Sequence, residues 1–274
     1  MEALWQASNI QGLQPRTDIH RNKAELQSLG KAVCSVMGIA YNTRIVTNGL
    51  ILCLDAANRK SYPGSGTTWF DLSTNSLAGN FVNGVAFDPA NGGSIAFDGA
   101  NEAVTFPMST LRPTSQITQE CWFSISQNQF QVFIGAQRGS SFDNSYVLWL
   151  NGANVLAAGI NPGGPEGSIN LNYQTINFTL STNRYYHFVH TYNGSTQQIY
   201  MNGESVFSWA TTGSLVYDNL NTLLAIGNDW GSGYDQGLNS GCRGNLPIVR
   251  IYNRALTLSE IRQNFNGVRR RFGI

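Results

Sequence analysis

Residues Arg243–Ile274 read RGNLPIVRIYNRALTLSEIRQNFNGVRRRFGI, a strand, a turn, a capped helix and a basic tail in close succession. Leu246–Tyr252 is an apolar run of strand length. Thr257 stands three residues before Glu260, the spacing of a capping box, in which the Thr hydroxyl accepts from the Glu amide and the carboxylate returns to the cap amide. Leu258, Ile261 and Phe265 recur at three- and four-residue steps, which places them on one face of a short helix. That helix is predicted to plug one end of a β structure. Arg269, Arg270 and Arg271 follow as a solvated basic run, with Phe272 and Ile274 as anchors. Three terminal arginines are a weak signal for nucleic acid; contact with an acidic partner surface is the reading carried forward for them.

Upstream, apolar stretches of strand length alternate with polar turns. Gly49–Ala56 (GLILCLDA) is one such stretch. Asn83-Gly84, Asn91-Gly92-Gly93 and Asn202-Gly203 are hairpin signals, because tight hairpin turns need positive φ and Asn and Gly adopt it readily. Val85–Phe87, Ser94–Phe97, Gln119–Ser126, Phe130–Ala136, Tyr146–Leu150, Tyr185–Tyr192, Gln198–Met201 and Leu223–Gly227 read as strands. In Gln119–Ser126, Cys121 and Phe123 fall on one face and Glu120, Trp122 and Ser124 on the other, as period two requires. Many short strands, regular turns and no repeat at blade spacing predict an all-β, two-sheet antiparallel sandwich.

Residues 1–47 differ in character, with Lys23, Lys31, Arg16, Arg21 and Arg44 among them. Asp18 is placed to cap a helix whose apolar positions are Ile19, Leu26, Leu29, Val33 and Val36 or Met37. Gly30 within it costs roughly 1 kcal/mol of helix propensity. A helix this short is marginal alone, so it docks either on its own domain or on a partner. The β pattern is complete without it. We therefore read 1–47 as an assembly arm with Leu26, Leu29 and Val33 as contacts, and 48–274 as the β domain.

A formal net charge of +1 exerts no global pull on nucleic acid or on a membrane surface, and no apolar run reaches the roughly 18 residues of a spanning helix. The N-terminus lacks the basic-then-apolar pattern of a secretory signal. Cys34, Cys53, Cys121 and Cys242 are scattered; Cys53 and Cys121 lie in apolar strand patterns, where reduced cysteine acts as a small hydrophobe. The three histidines have no zinc-ligand spacing to these thiols.

Read in order, LCLDAAN (Leu52–Asn58), SIAFDGANEAV (Ser94–Val104), QECWFSI (Gln119–Ile125), YHFVHTYNGSTQQIYMNG (Tyr186–Gly203) and the closing segment resemble a laminin G-like, concanavalin A-like jelly roll. With SYPGSGTTWFDLS at Ser61–Ser73 and the closing NRALT, NFN and RFGI, the chain is similar to virion proteins of tailed bacteriophages, cyanophages especially. The resemblance covers Asn48–Ile274. It implies a non-enzymatic virion structural protein, assembled in the host cytoplasm and exposed as a capsid decoration or a neck, tail or fibre component. Other virion proteins are the implied partners, with a homo-oligomeric state; nucleic acid and membrane are not. Trp122 matches the family's central-strand tryptophan, and His187 and Tyr192 match the paired strand. Asp55, Asp71 and Asp98 match acidic positions at strand ends, where carboxylates bond to nearby backbone amides. At Thr74, DLSTNS departs from the family's more usual glycine-rich turn.

Family members are mostly binding or structural modules, and some hold Ca²⁺ through acidic and carbonyl oxygens. No cofactor is required by the reading, and Ca²⁺ is compatible with it. The loop Asn228–Asp235 (NDWGSGYD) offers Asp229 and Asp235 as oxygens for a hard cation and Trp230 and Tyr234 as rings to stack on a sugar. Asp143, in SFDNS at Ser141–Ser145, is the second locus. The alternative at both is a surface loop whose side chains pack locally. An adhesin for host surface polysaccharide thus stands beside the virion reading. The fold also includes β-glucanases, whose hydrolysis needs two carboxylates about 5–10 Å apart. Glu120 lies on a strand, but its alternate neighbours are Trp122 and Ser124. A depolymerase is therefore the least favoured reading, and no catalytic residue is assigned.

Overall fold

A computed structural model describes residues 44–137, 144–163, 171–217, 222–229 and 240–274. The chain divides into two units, 1–43 and 44–274. The predicted arm helix, with Leu26, Leu29 and Val33, lies outside the described residues.

The second unit is the expected sandwich of two antiparallel sheets. One runs β14 (Glu204–Ala210), β13 (Thr196–Met201), β12 (Tyr185–Tyr192), β7 (Ile117–Ile125), β16 (Arg243–Tyr252), β5 (Ser94–Asp98), β4 (Ala86–Asp88), with β1 (Leu50–Asp55) also on β16. The other runs β11 (Asn172–Asn177), β10 (Val155–Ile160), β9 (Asn144–Asn151), β8 (Phe130–Gln137), β15 (Leu223–Ile226), β6 (Ala103–Pro107), β3 (Ala78–Val82), β2 (Thr68–Phe70). Alternate residues of both meet in one core, among them Cys121 and Phe123 of β7, Phe188 of β12, Leu148 of β9 and Leu224 of β15. The hairpin between β13 and β14 turns at Asn202 (φ 52°) and Gly203 (φ 81°), as its sequence requires. Cys53, Cys121 and Cys242 are buried free thiols. Asp71 Oδ1 accepts from the amides of Cys53 and Ser73 at 2.8 Å each, and Asp98 Oδ1 accepts from Ala100 N, so these acids serve turns as expected.

Two sequence-based placements change. Helix α1 (Leu258–Val268) carries the predicted capping box, but it does not plug an end of the sandwich. It lies across the outer face of the first sheet, where Phe265 stacks on Trp122 at 5.6 Å and Ile261 packs with Val189 and Tyr252. That face presents Trp122, Val189, Ile248 and Tyr252 away from the core, and α1 removes their apolar surface from water. Residues 44–47, read as part of the arm, belong to the sandwich. Val46 N donates to Asn264 Oδ1, and its carbonyl accepts from the Tyr252 hydroxyl.

The basic run is also not uniformly solvated. A 3-10 turn at Arg269–Phe272 brings Arg271 back to the domain. Its guanidinium donates to Asp55 Oδ1 at 2.7 Å and to the carbonyls of Asn91 and Gly93. Arg269 is exposed, with its guanidinium over the Phe265 ring.

Candidate functional site on the outer face of the second sheet

Helix α1 covers the first sheet's outer face; on the second sheet's outer face Thr105, Val147, Ala157 and Ala225 are buried as well, and the face opens at β11, where Tyr173 and Thr175 are exposed. Strand alternation and register place one row across it: Thr105 on β6, Ala225 on β15, Gly135 on β8, Val147 on β9, Gly159 on β10 and Tyr173 on β11. The middle of this row is small. A Cβ at Gly159 would lie 2.6 Å from Tyr173 Cβ, so only glycine lets β11 seat Tyr173 there. In the next row Trp149 is opposite Ala157, which is opposite Thr175. Trp149 and Tyr173 meet diagonally, with ring centroids 5.1 Å apart and planes at 58°, and Tyr173 is 48% exposed. Two tilted rings beside a floor of Gly and Ala form an apolar corner with one phenol hydroxyl at its tip.

Further along this face, Asp229 folds back over Gly135, where an added Cβ would lie 3.1 Å from its Oδ1. Asn144 Nδ2 donates to both Asp229 oxygens, at 3.2 and 3.1 Å. The two loops singled out from the sequence thus meet at their roots, through Asn144 next to Asp143 and through Asp229. Asp143, Trp230, Tyr234 and Asp235 themselves lie outside the described residues. Burial raises the Asp229 carboxyl above its usual range, and the Asn144 amide only partly offsets it. Asn144 Oδ1 is buried without a hydrogen-bond partner. These are oxygens of the type Ca²⁺ takes, but Ca²⁺ needs six to eight. Among the described residues no group of three or more acids, histidines or cysteines could hold a metal ion.

The carboxylate on β7 has a different setting. Glu120 is fully buried beneath α1. Its Oε1 accepts from Arg250 Nη1 at 2.5 Å and lies 3.1 Å from His187 Nε2, while Oε2 accepts from Asn264 Nδ2 at 2.7 Å. Burial alone would raise its pKa, but Arg250, His187 and Asn264 outweigh this and hold it at about 2. This geometry fixes α1 to the sheet and gives Glu120 no access to a substrate. His190, on the face of β12 opposite His187, is buried in the core. Gln119 Nε2 and Gln197 Oε1 lie 3.0 and 2.9 Å from its two ring nitrogens, and burial lowers its pKa to about 3.

A family model described as the concanavalin A-like lectin/glucanases superfamily matches residues 98–262, more than half of the chain. The chain belongs to this superfamily. No curated protein matches the sequence significantly. Among solved structures, the concanavalin A-like sandwich is similar to domain 4 of AbnA, a GH43 extracellular arabinanase from Geobacillus stearothermophilus, in complex with arabinotriose. The identity is 17% and the TM-score 0.54, over 80% of this chain and 99% of that one. It is also similar to the binding domain of botulinum neurotoxin DC in complex with SialylT (13% identity, TM-score 0.57, over 81% of this chain) and to the binding domain of Paraclostridial Mosquitocidal Protein 1 (16%, 0.58, over 79%). This chain spans about half, 52%, of each of those toxin domains. At these identities the likeness is one of fold.

Sequence reasoning singled out the aromatics of the loop at 228–235, which lie outside the described residues, and did not single out Trp149 and Tyr173. Trp149 alternates with Val147 and Leu150 follows it, so in one dimension it reads as ordinary strand. Only the pairing of β9, β10 and β11 sets it beside Tyr173.

Proposed function

We propose that this chain is a non-enzymatic binding module that takes a glycan on the outer face of its second sheet. The Trp149–Tyr173 corner, with Tyr173 exposed and Trp149 half-buried beside it, carries the reading. A sugar ring offers C–H faces to aromatic planes and hydroxyls to the polar groups around them. Fold neighbours whose structures hold arabinotriose or SialylT support the class of ligand. In this reading Ca²⁺ is not required.

The organismal setting we propose is the surface of a tailed-phage particle, with residues 1–43 and their lead-in serving attachment. This part rests on the closing NRALT, NFN and RFGI phrases and on SYPGSGTTWFDLS. Structural and glycan-binding roles coexist in it: the sandwich is displayed and its second sheet engages the host polysaccharide.

The test is a glycan array followed by calorimetry on the best ligand, with and without EGTA. Trp149→Ala and Tyr173→Ala are each expected to weaken binding roughly fivefold, about 1 kcal/mol, with the fold intact and EGTA without effect. A full array with no ligand, or unchanged affinity in both variants, sinks the glycan reading. Mass spectrometry of purified particles tests the setting. Arg269→Ser with Arg270→Ser is the variant for the assembly role of the tail, because Arg271 also holds the fold.

A further inference from the structure

We propose that the glycan site does not end at Tyr173 but continues round the edge strand β11 into the gap between the two sheets, where Asn172, Trp209 and Phe207 form a second subsite. The inference rests on the glycan reading and extends it to a chain of neutral sugars. Cross-strand register puts these three side chains on inward faces: Asn172 is opposite Ile160, Phe207 opposite Ile199 and Trp209 opposite Gln197. All three partners are buried in the interior. The sandwich is nevertheless open here, because β11 and β14 each end the path of their sheet. Phe207 is 41% exposed, and Trp209 and Asn172 are half-buried.

The polar chemistry of the gap is set by hydrogen bonds that converge on one amide. Asn172 Oδ1 accepts from Trp209 Nε1 at 2.8 Å, from Gln197 Nε2 at 3.0 Å and from Thr211 Oγ1 at 3.0 Å. An indole N–H can only donate, so the atom facing it is the amide oxygen, and the Asn172 amide has one orientation. Nδ2 takes the other position. It has no protein partner among the described residues, and solvent reaches it. The groups around it are held as well. Gln197 Oε1 lies 2.9 Å from His190 Nε2, and the His190 ring backs Trp209 with centroids 5.7 Å apart and planes at 24°. Phe207 and Trp209 stand 6.0 Å apart at 32°. The gap thus holds two rings and one oriented donor, and a donor oriented in advance loses little freedom on binding. A matching ligand brings C–H faces for the rings and an acceptor oxygen, a hydroxyl or an acetamido carbonyl, for Nδ2. Asn172, Trp209 and Phe207 carry no charge, which suits a neutral sugar. Asn172 and Tyr173 are consecutive, so their side chains leave opposite faces of one strand. A sugar chain crossing the edge of β11 meets both, and Asn172 selects for the acceptor it carries.

The experiment is an array of neutral oligosaccharides, from monosaccharides to hexasaccharides, read with the full chain as wild type, Phe207→Ala, Asn172→Asp and Tyr173→Ala. Affinities for the retained sugars follow by calorimetry. Wild type is expected to bind the longer chains more tightly than the shorter ones. Phe207→Ala is expected to weaken the longer chains roughly fivefold. Asn172→Asp keeps the oxygen that Trp209 and Thr211 need and removes the donor, and it is expected to weaken the same chains about tenfold with near-UV circular dichroism unchanged. Phe207 is exposed, so Phe207→Ala decides alone where Asn172→Asp disturbs the fold. Weakened binding in Tyr173→Ala, with every chain length bound by Phe207→Ala and Asn172→Asp as by wild type, overturns the second subsite and leaves the glycan reading standing. An array on which wild type retains no sugar overturns the glycan reading and this inference with it.

Discussion

At the residue scale, Glu120 is the side chain on which most of the buried charge depends. It holds Arg250, His187 and Asn264 together from three different elements. Removing one member of such a group leaves the others desolvated without a partner, which typically costs 3–5 kcal/mol. Glu120→Ala is therefore expected to lower stability by about 3–5 kcal/mol in urea melts. A loss below about 1 kcal/mol would mean that water reaches Arg250 in the native state. The residue's chemistry was legible in part. Its strand, and its sharing a face with Trp122, follow from alternation. That it is a structural carboxylate does not, because its partners lie 67, 130 and 144 positions away.

At the scale of elements, α1 shows where local rules hold and where they stop. Thr257 Oγ1 accepts from Glu260 N, and Glu260 Oε2 accepts from Thr257 N, within one turn of chain. Arg254 adds a two-pronged ion pair to Glu260, and together these hold the Glu260 carboxyl at about 2. Thr257→Ala is expected to cost about 1 kcal/mol, read as a fall in the thermal midpoint with the fold retained. Arg271→Ala is expected to destabilise measurably, whereas Arg269→Ala changes stability little. The same three letters in a row thus have different roles. The tail's 3-10 turn points one of them at Asp55, and nothing in an arginine triplet announces that.

At the scale of the whole molecule, two buried groups give the sandwich a common acid sensitivity. The pKa of His190 falls from 6.5 unfolded to about 3 folded. The unfolded chain therefore binds the proton first, and stability present above pH 6.5 is lost as the pH falls toward 3. The pKa of Glu120 falls from 4.5 to about 2, so its contribution is present above 4.5 and lost below it. Denaturant midpoints are expected to be level above pH 7, to decline from about 6.5, and to decline more steeply below about 4.5. His190→Gln is expected to remove the first decline and keep the second. A slope between pH 6.5 and 5 that survives this substitution assigns the first decline to another group.

What the sequence by itself determined is what short-range chemistry controls. This comprises the strands read from alternation and apolar runs, the Asn-Gly turns, the aspartates that serve them, and the capping box. Each depends on residues within a few positions, so a linear reading suffices. The order of those pieces was enough to predict a two-sheet sandwich. Only the tertiary structure decided which sheet face α1 covers, what Glu120 binds, that the roots of two loops meet at Asn144 and Asp229, and that Trp149 and Tyr173 form one corner. These depend on which strands become neighbours. Strand order follows from burying the apolar faces of all the strands together, a property of the whole chain that no local window contains.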